Sequence, residues 1–310
     1  MKKFIVTTSI NTPTKVSETF SQKEGWQYVV AGDLQTPHEK YKQLDCIYLS
    51  PEEQEKQYSK LSNLIGWKCI QRRNFAILKA YELGADIIAI VDDDNDPLKN
   101  WGEDLLIEGE HEVKNYNISA PAFDPVGATS YKHLWHRGFP LELLPSRDYE
   151  NTSTVKTKFH IQADFWNKDP DVDAICRMEH NPTCEFNNED FPFTSNKLSP
   201  FNSQNTFITR DIVKDYFLFP HVGRMDDIWA AYYVTALGYK VAYNKPSVIS
   251  DRNLGNEGRY SIINDMKKEY IGYENNLELV NDLNEDPSLI QKYLPGKSWV
   301  AFKEYQKIIS

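Results

Sequence analysis

Cysteine is scarce in this sequence. Cys46, Cys69, Cys176 and Cys184 are the only four, too few and too scattered for a disulfide framework, which suits a reducing compartment. Long apolar runs are missing too. No stretch approaches the roughly 18 apolar residues of a membrane span, and the start "MKKFIVTTSINTPTKV" turns polar too soon for a signal peptide, so the chain reads as cytoplasmic with no transmembrane segment. Positive charge is in deficit: a formal net charge of -10 leaves no basic footprint for nucleic acid or an anionic membrane surface. An anionic small substrate stays compatible if a metal or a few arginines reverse the charge locally. No repeat of fixed period and no low-complexity segment is present.

What is there is a folding composition. With 40% hydrophobic and 13% aromatic residues in 310, the chain can bury one large core or a core plus a smaller appendage. The runs "KFIVTTS", "QYVVAGD" and "DCIYLS" predict strands, and "SPEEQEKQY" opens like a helix, with a serine before a proline and an acidic first turn. Ile70, Asn74, Leu78 and Tyr81 recur at three- and four-residue steps, which predicts a helix over Trp67 to Leu83 ended by Gly84. "ADIIAIV" then predicts a strand buried on both faces, as at the centre of a mostly parallel sheet with helices on each side.

Residues 98–200 are rich in Pro, Asn, Asp and aromatics. They read as a loop-rich half that builds a substrate pocket, with short strands at "NISAPAF" and "VDAICRM". Beyond them "TRDIVKDYF" and "DDIWAAYYVTALGY" predict helices and "KVAYN" a strand, followed by helices in "YSIINDMKKEYIGYENNLELVNDL", "DPSLIQKYL" and "SWVAFKEYQKII". The expected organisation is a catalytic domain over residues 1–255 and a C-terminal helical extension, 256–310, packed on it.

The stretch "IIAIVDDDNDP" sets four carboxylates against the end of an apolar strand. Side chains alternate along a strand, so Asp92 and Asp94 project to one side of the sheet edge and Asp93 to the other, making a site for a hard divalent cation at the carboxyl end of a central strand. Turn chemistry covers Asp96 and Asn95 but not three consecutive aspartates, whose mutual repulsion calls for a positive partner. A calcium-binding module is the competing binding reading, because Asp92, Asp94, Asp96 and Glu103 have EF-hand spacing. Its sixth position, however, needs glycine and holds Pro97, and a strand rather than a helix precedes it. An aspartyl-nucleophile phosphatase and the Asp-x-Asp site of nucleotide-sugar glycosyltransferases are the remaining candidates. In the second of these, Mn²⁺ or Mg²⁺ offsets the charge of the departing diphosphate. "CRMEHNPTC" offers Cys176, His180 and Cys184, three soft ligands without a clear fourth for zinc.

A second acidic pair, Asp226 and Asp227 in "FPHVGRMDDIWAAYYV", stands where a helix begins. One aspartate can serve as an N-cap, but two beside Arg224 exceed what a cap needs. A carboxylate opposite a metal site can take a proton from an acceptor or stabilise a cation-like sugar.

These blocks carry a resemblance. "GRMDDIWAAYYV", "NDMKKEYIGYE", "RRNFAILKAYELGADIIAIVDDDN", "HRGFP" and "NTFITRDI" resemble, in order, segments of the plant reversibly glycosylated polypeptides, the UDP-arabinopyranose mutases of glycosyltransferase family 75. "VVAGDLQTP" resembles a turn of the more distant STELLO-type glycosyltransferases. The blocks span residues 30–275. The resemblance implies an α/β fold of GT-A (Rossmann-like) type, a nucleotide-sugar donor, a carbohydrate acceptor and Mn²⁺ or Mg²⁺.

Matched position by position, the resemblance implies that Asp92, Asp93 and Asp94 bind metal and nucleotide, and that Arg224, Asp226 and Asp227 flank the sugar. Arg72 and Arg73 on the preceding helix are candidates for the nucleotide or its phosphates, with two solvated helix charges as the alternative, and Asn74 and Asn205 of "NTFITRDI" are expected to join the nucleotide-sugar site. Arg137 matches the arginine that becomes glycosylated in the plant proteins, although a guanidinium is a poor nucleophile and a good bidentate partner for a diphosphate. "VISDRN" replaces a His-Ser pair of that family, so Ser250 or Asp251 stands where a histidine would complete the metal shell. The expected activity is a metal-dependent glycosyltransferase, in surface polysaccharide synthesis for example, with a UDP-sugar mutase as the alternative. The oligomeric state is left open.

Overall fold

The computed structural model describes residues 1–251 and 261–310. The boundary placed after residue 255 and the first residue of the expected "YSIINDM" helix lie outside the described residues. The first third of the chain gives β1 (Lys3–Ser9), α1 (Lys15–Ser21), β2 (Trp26–Gly32), α2 (His38–Tyr41), β3 (Ile47–Leu49), α3 (Pro51–Ile65), α4 (Arg73–Glu82) and β4 (Ile87–Val91). Local chemistry explains the boundaries. The Ser50 hydroxyl accepts from the Glu53 N–H while the Glu53 carboxylate accepts from the Ser50 N–H, a reciprocal cap at the start of α3. Gly84, at φ +84, follows α4 in the left-handed conformation. Helix α4 starts later than its periodicity predicts, because Ile70–Arg72 form a 3₁₀ turn before it.

The middle gives β5 (Asn95–Pro97), β6 (Glu110–Tyr116), β7 (Thr152–Lys158), β8 (Ile161–Lys168), α5 (Ala174–His180), β9 (Phe193–Ser195), β10 (Asn205–Thr209), α6 (Asp226–Ala236) and β11 (Val241–Ser250). This half is more ordered than its composition predicts. "VDAICRM" is not a strand: Asp173 caps it by accepting from the Cys176 N–H, and a helix follows. "NISAPAF" forms no strand beyond one isolated bridge at Ala122, and "TRDIVKDYF" is a 3₁₀ turn at Arg210–Ile212 rather than a helix. Helices α7 (Ile262–Glu285), α8 (Ile290–Tyr293) and α9 (Gly296–Ile309) complete the chain.

Among the described residues the strands make one eleven-stranded sheet in the order β3-β2-β1-β4-β10-β8-β11-β9-β6-β7, with β5 pairing β11 off that path. Strands β3, β2, β1 and β4 run parallel, and β10 inserts antiparallel between β4 and β8. β8 and β11 are again parallel to each other. This is the α/β architecture expected of a GT-A-like fold, a mostly parallel central sheet flanked by helices. All five residues of β4 are buried, and each isoleucine removed from water there contributes roughly 1.5–3 kcal/mol. The carboxyl ends of β1, β2, β4, β8 and β11 lie along one edge, where ligands of open α/β sheets bind. No helix among the described residues is long and apolar enough to cross a membrane.

Candidate active site at the carboxyl edge of the sheet

The aspartate run does not continue its strand. β4 ends at Val91, the chain turns at Asp93 and Asp94, and Asn95–Pro97 returns as β5 against β11. The expectation that strand alternation puts Asp92 and Asp94 on one side is therefore corrected. Asp96 and Pro97 are ladder residues rather than a turn, and no EF-hand helix precedes the run. Asp92 Oδ1 lies 2.5 Å from Arg73 Nη2, and the Asp92 N–H donates to the Gln204 carbonyl. Asp93 accepts from the Ser9 hydroxyl and from Asn11 Nδ2 at 3.1 Å, while its carbonyl accepts from Thr14 Oγ1 at 2.8 Å. It thus fastens the loop after β1. Asp94 is exposed at the turn.

Arg72 and Arg73 are both buried, so neither is a solvated helix charge. Arg72 is sandwiched between the Trp67 and Phe75 rings, at 3.6 and 4.2 Å from their centroids, and donates to Gln54, Ser62 and the Gly66 carbonyl. That makes it a packing residue, turned away from the aspartates. Arg73 reaches Asp92 and also donates to the Ser203 carbonyl and hydroxyl at 2.7 and 3.0 Å. Asn74 makes a two-way amide pair with the Leu218 backbone, and Asn205 is enclosed by Trp101, Ser247 and the carbonyls of Asp164 and Phe165. Both asparagines support the site from within the core.

The second acidic pair sits at the N-terminus of α6, and the Arg73 contact leads straight to it. Ser203, held by Arg73, donates its N–H and hydroxyl to Asp227 Oδ2 at 2.9 and 3.2 Å. Asp227 also receives Arg137 Nη1 and Nη2 at 2.9 and 3.0 Å. The other edge of the Arg137 guanidinium grips Asp171 through Nε and Nη2 at 2.8 and 2.9 Å, and Nη1 donates to the Arg224 carbonyl. All five N–H groups of Arg137 are thus engaged inside the protein. Arg137 is therefore corrected from a fork offered to a diphosphate to a clamp between two aspartates. Arg224 pairs with Glu269 of α7 at 2.8 Å and with Asp265 at 3.5 Å. Gly223 permits this closeness: at φ +63, a Cβ there would fall 2.0 Å from the Lys268 carbonyl oxygen.

The two neighbours are shifted in opposite directions. Burial, reinforced by the charge of Asp227, pushes Asp226 up to about 7. Burial would raise Asp227 as well, but the Arg137 charge and hydrogen bonds outweigh it and hold Asp227 below the ordinary carboxylate range. Asp171 is depressed in the same way: burial opposes its ionisation and Arg137 overcomes it. Gln71 Nε2 donates to Asp226 at 2.8 Å.

The metal expectation rests on Asp92, Asp94 and Asp251. β11 pairs Ser250 with Asn95, so the next residues outward, Asp251 and Asp94, lie at the same end of that ladder. Asn95 Oδ1 and Ser250 Oγ, both buried there, have no hydrogen-bond partner among the described residues. These all-oxygen donors fit a hard cation. Two features count against a finished cage. Asp251 is exposed and paired with Lys168 at 2.7 Å, and no group of three or more His, Cys, Asp or Glu among the described residues is disposed to hold an ion. Cys176 and Cys184 are buried and their thiols are pushed up by desolvation to about 12, which is unlike zinc ligands. His136 is buried and bonded to the Arg137 carbonyl, and His221 to that of Leu64. A depression of about 460 Å³ beside Lys3, Lys23 and Trp26 lies at the amino ends of β1 and β2, the edge opposite the carboxylates.

Sequence reasoning missed Asp171, Ser203 and Glu269. A signal existed for the first: "KDPDVDA" places Asp169, Asp171 and Asp173 alternately after β8, and all three are buried.

The site thus consists of two acidic motifs joined through Arg73 and Ser203 at the carboxyl edge of a GT-A-like α/β fold. No protein-family profile matches the chain. It is 26% identical over 224 residues to "Probable glycosyltransferase STELLO2" and 25% over 228 residues to "Probable glycosyltransferase STELLO1", both of Arabidopsis thaliana. Each match covers 66% of this chain and 29% of the relative, so the chain spans under a third of their length. The chain accordingly has distant homologues among proteins named as glycosyltransferases.

Proposed function

We propose that the protein is a glycosyltransferase that moves a sugar from a nucleotide-sugar donor, a UDP-sugar by its resemblances, to a carbohydrate acceptor. The observation that carries this reading is the unbroken path Asp92–Arg73–Ser203–Asp227, which couples a diphosphate-side carboxylate to a sugar-side carboxylate across residues far apart in sequence. Asp94, with Asp251 and the Asn95 and Ser250 oxygens, would hold Mn²⁺ or Mg²⁺. Such an ion supplies positive charge against the departing diphosphate.

The chain's own residues do the rest. Arg73 orients Asp92 and neutralises it. Asp227 stays ionised and, fixed by four hydrogen bonds, faces the positive charge that grows on the sugar as its bond to phosphate breaks. Asp226, poised near neutrality, receives the proton of the acceptor hydroxyl as its oxygen bonds to the sugar. A transferase is preferred to a mutase passing through a glycosylated arginine, because Arg137 is buried with every N–H engaged.

The test is a hydrolysis screen of sugar nucleotides with Mn²⁺, since transferases slowly hydrolyse their correct donor. One donor should release its nucleoside diphosphate faster than the rest and stop when the metal is chelated. Equal inertness of all donors in the transfer and hydrolysis assays, together with stabilisation by Ca²⁺ alone, would return the chain to the binding-module class.

A further inference from the structure

We propose that Asp171 is a positioning residue of this site, acting through Arg137 on Asp227. The inference rests on the reading above and adds a third acidic loop to it. Asp171 lies just after β8, and the Arg137 N–H donates to its carbonyl at 3.0 Å while His136 and Val172 form a β-bridge, so the two segments are registered by backbone as well as by charge. A guanidinium is planar, and two-point contacts on two of its edges fix both its position and its tilt. With Asp171 on one edge, the other edge can meet Asp227 in only one orientation. The strap carrying Arg137 is itself pressed on α6: Gly138 stands at φ +80, and a Cβ there would fall 2.3 Å from Ile228 Cγ2.

Stability alone does not call for this arrangement. One carboxylate would neutralise Arg137, whereas two leave a surplus negative charge in a buried place, and buried ion pairs are often no more stable than apolar packing. Arg224 offsets the surplus only in part, at 4.0 Å from Asp171. The second carboxylate gains its purpose from geometry: it holds Asp227 against Ser203 and next to Asp226, where displacement by about 1 Å lowers a rate about 100-fold.

The experiment compares wild type, Asp171→Asn and Arg137→Lys in hydrolysis of the donor found by the screen, alongside crystal structures of the variants. Asp171→Asn should lower kcat about 100-fold with KM for the donor within about 3-fold, the split expected when only transition-state geometry is lost. Arg137→Lys, which keeps the charge and loses the double fork, should not rescue it, and decides the matter if Asp171→Asn fails to fold. Unchanged kcat, or losses of kcat and donor affinity in step with lost helical signal, overturns the proposal. If no sugar nucleotide is hydrolysed by wild type, the functional reading fails separately. The crystal structures still decide the positioning claim: Asp227 displaced from Ser203 supports it, and Asp227 unmoved refutes it.

Discussion

Replacing Asp226 by Asn should make the protein more stable, and increasingly so as pH rises. Asp226 is buried with Asp227 beside it, and its carboxyl moves from 3.8 to about 7 on folding. A raised carboxyl means that, between about pH 4 and 7, the folded chain keeps a proton that the unfolded chain has released, so stability falls as pH rises through that window. At about 1.4 kcal/mol for each tenfold change in affinity, the full penalty is at most about 4.5 kcal/mol, of which about 2.5 kcal/mol accrues between pH 5 and 8. Asparagine keeps the shape and the acceptor for Gln71 but cannot ionise.

The assay is urea unfolding of wild type and Asp226→Asn at pH 5 and pH 8. The comparison must be a difference of differences, because Asp164 and Asp173, raised by burial to about 6 and about 7, give the wild type a slope of the same sign. Asp171 and Asp227 do not interfere. Their stabilisation is present above the ordinary carboxylate range and is lost only when pH falls through their depressed values, outside the window. The variant's advantage should grow by about 2–3 kcal/mol from pH 5 to 8. An advantage that stays constant with pH would refute the claim that folding raises the Asp226 carboxyl towards neutrality.

Other outcomes follow from the same geometry. Asp94→Asn should abolish metal-dependent binding of UDP in calorimetry, because it removes a carboxylate of the oxygen-lined ladder end; unchanged metal dependence would make the turn purely structural. Intact mass after incubation with the preferred donor should show no added sugar at Arg137, whereas a hexose or pentose adduct there would reopen the mutase reading. Gly223→Ala should cost more than about 3 kcal/mol, since its Cβ meets the Lys268 carbonyl, while Gly238→Ala, at φ +91 with open space around it, should cost about 1 kcal/mol. Thermal unfolding of the two variants tests that contrast.

Some of this was readable from residues alone and some was not. The apolar run ending in aspartates located the central strand, and the Asp226–Asp227 pair located a helix start, because burial and an acidic first turn are local signals, although Met225 rather than either aspartate occupies the N-cap. Adjacent arginines defeated the same approach. Arg72 and Arg73 are about 100° apart around a helical backbone, and only tertiary context sends one to Trp67 and the other to Asp92. "VDAICRM" is too short for periodicity to separate strand from helix, and the Asp173 cap was the better clue. "KDPDVDA" looks like turn chemistry, so the partner of Arg137 stayed hidden until the fold brought residues 137, 171 and 227 together.

The Arg224–Glu269 contact bears on how the protein comes into being. Helix α7 supplies Glu269 to Arg224 and Asn276 to the Gly138 carbonyl, whereas Gln71 and Arg73 come from the first third of the chain. A chain emerging from the ribosome can pair β1 with β2 early, but it cannot close this site until residue 276 has been released. Until then Arg224 has only Asp171, at 4.0 Å, of its three acidic partners Asp171, Asp265 and Glu269, and the Asp226 pair lacks its final setting. The site therefore assembles only after α7 has left the ribosome, well after β1 and β2 can pair.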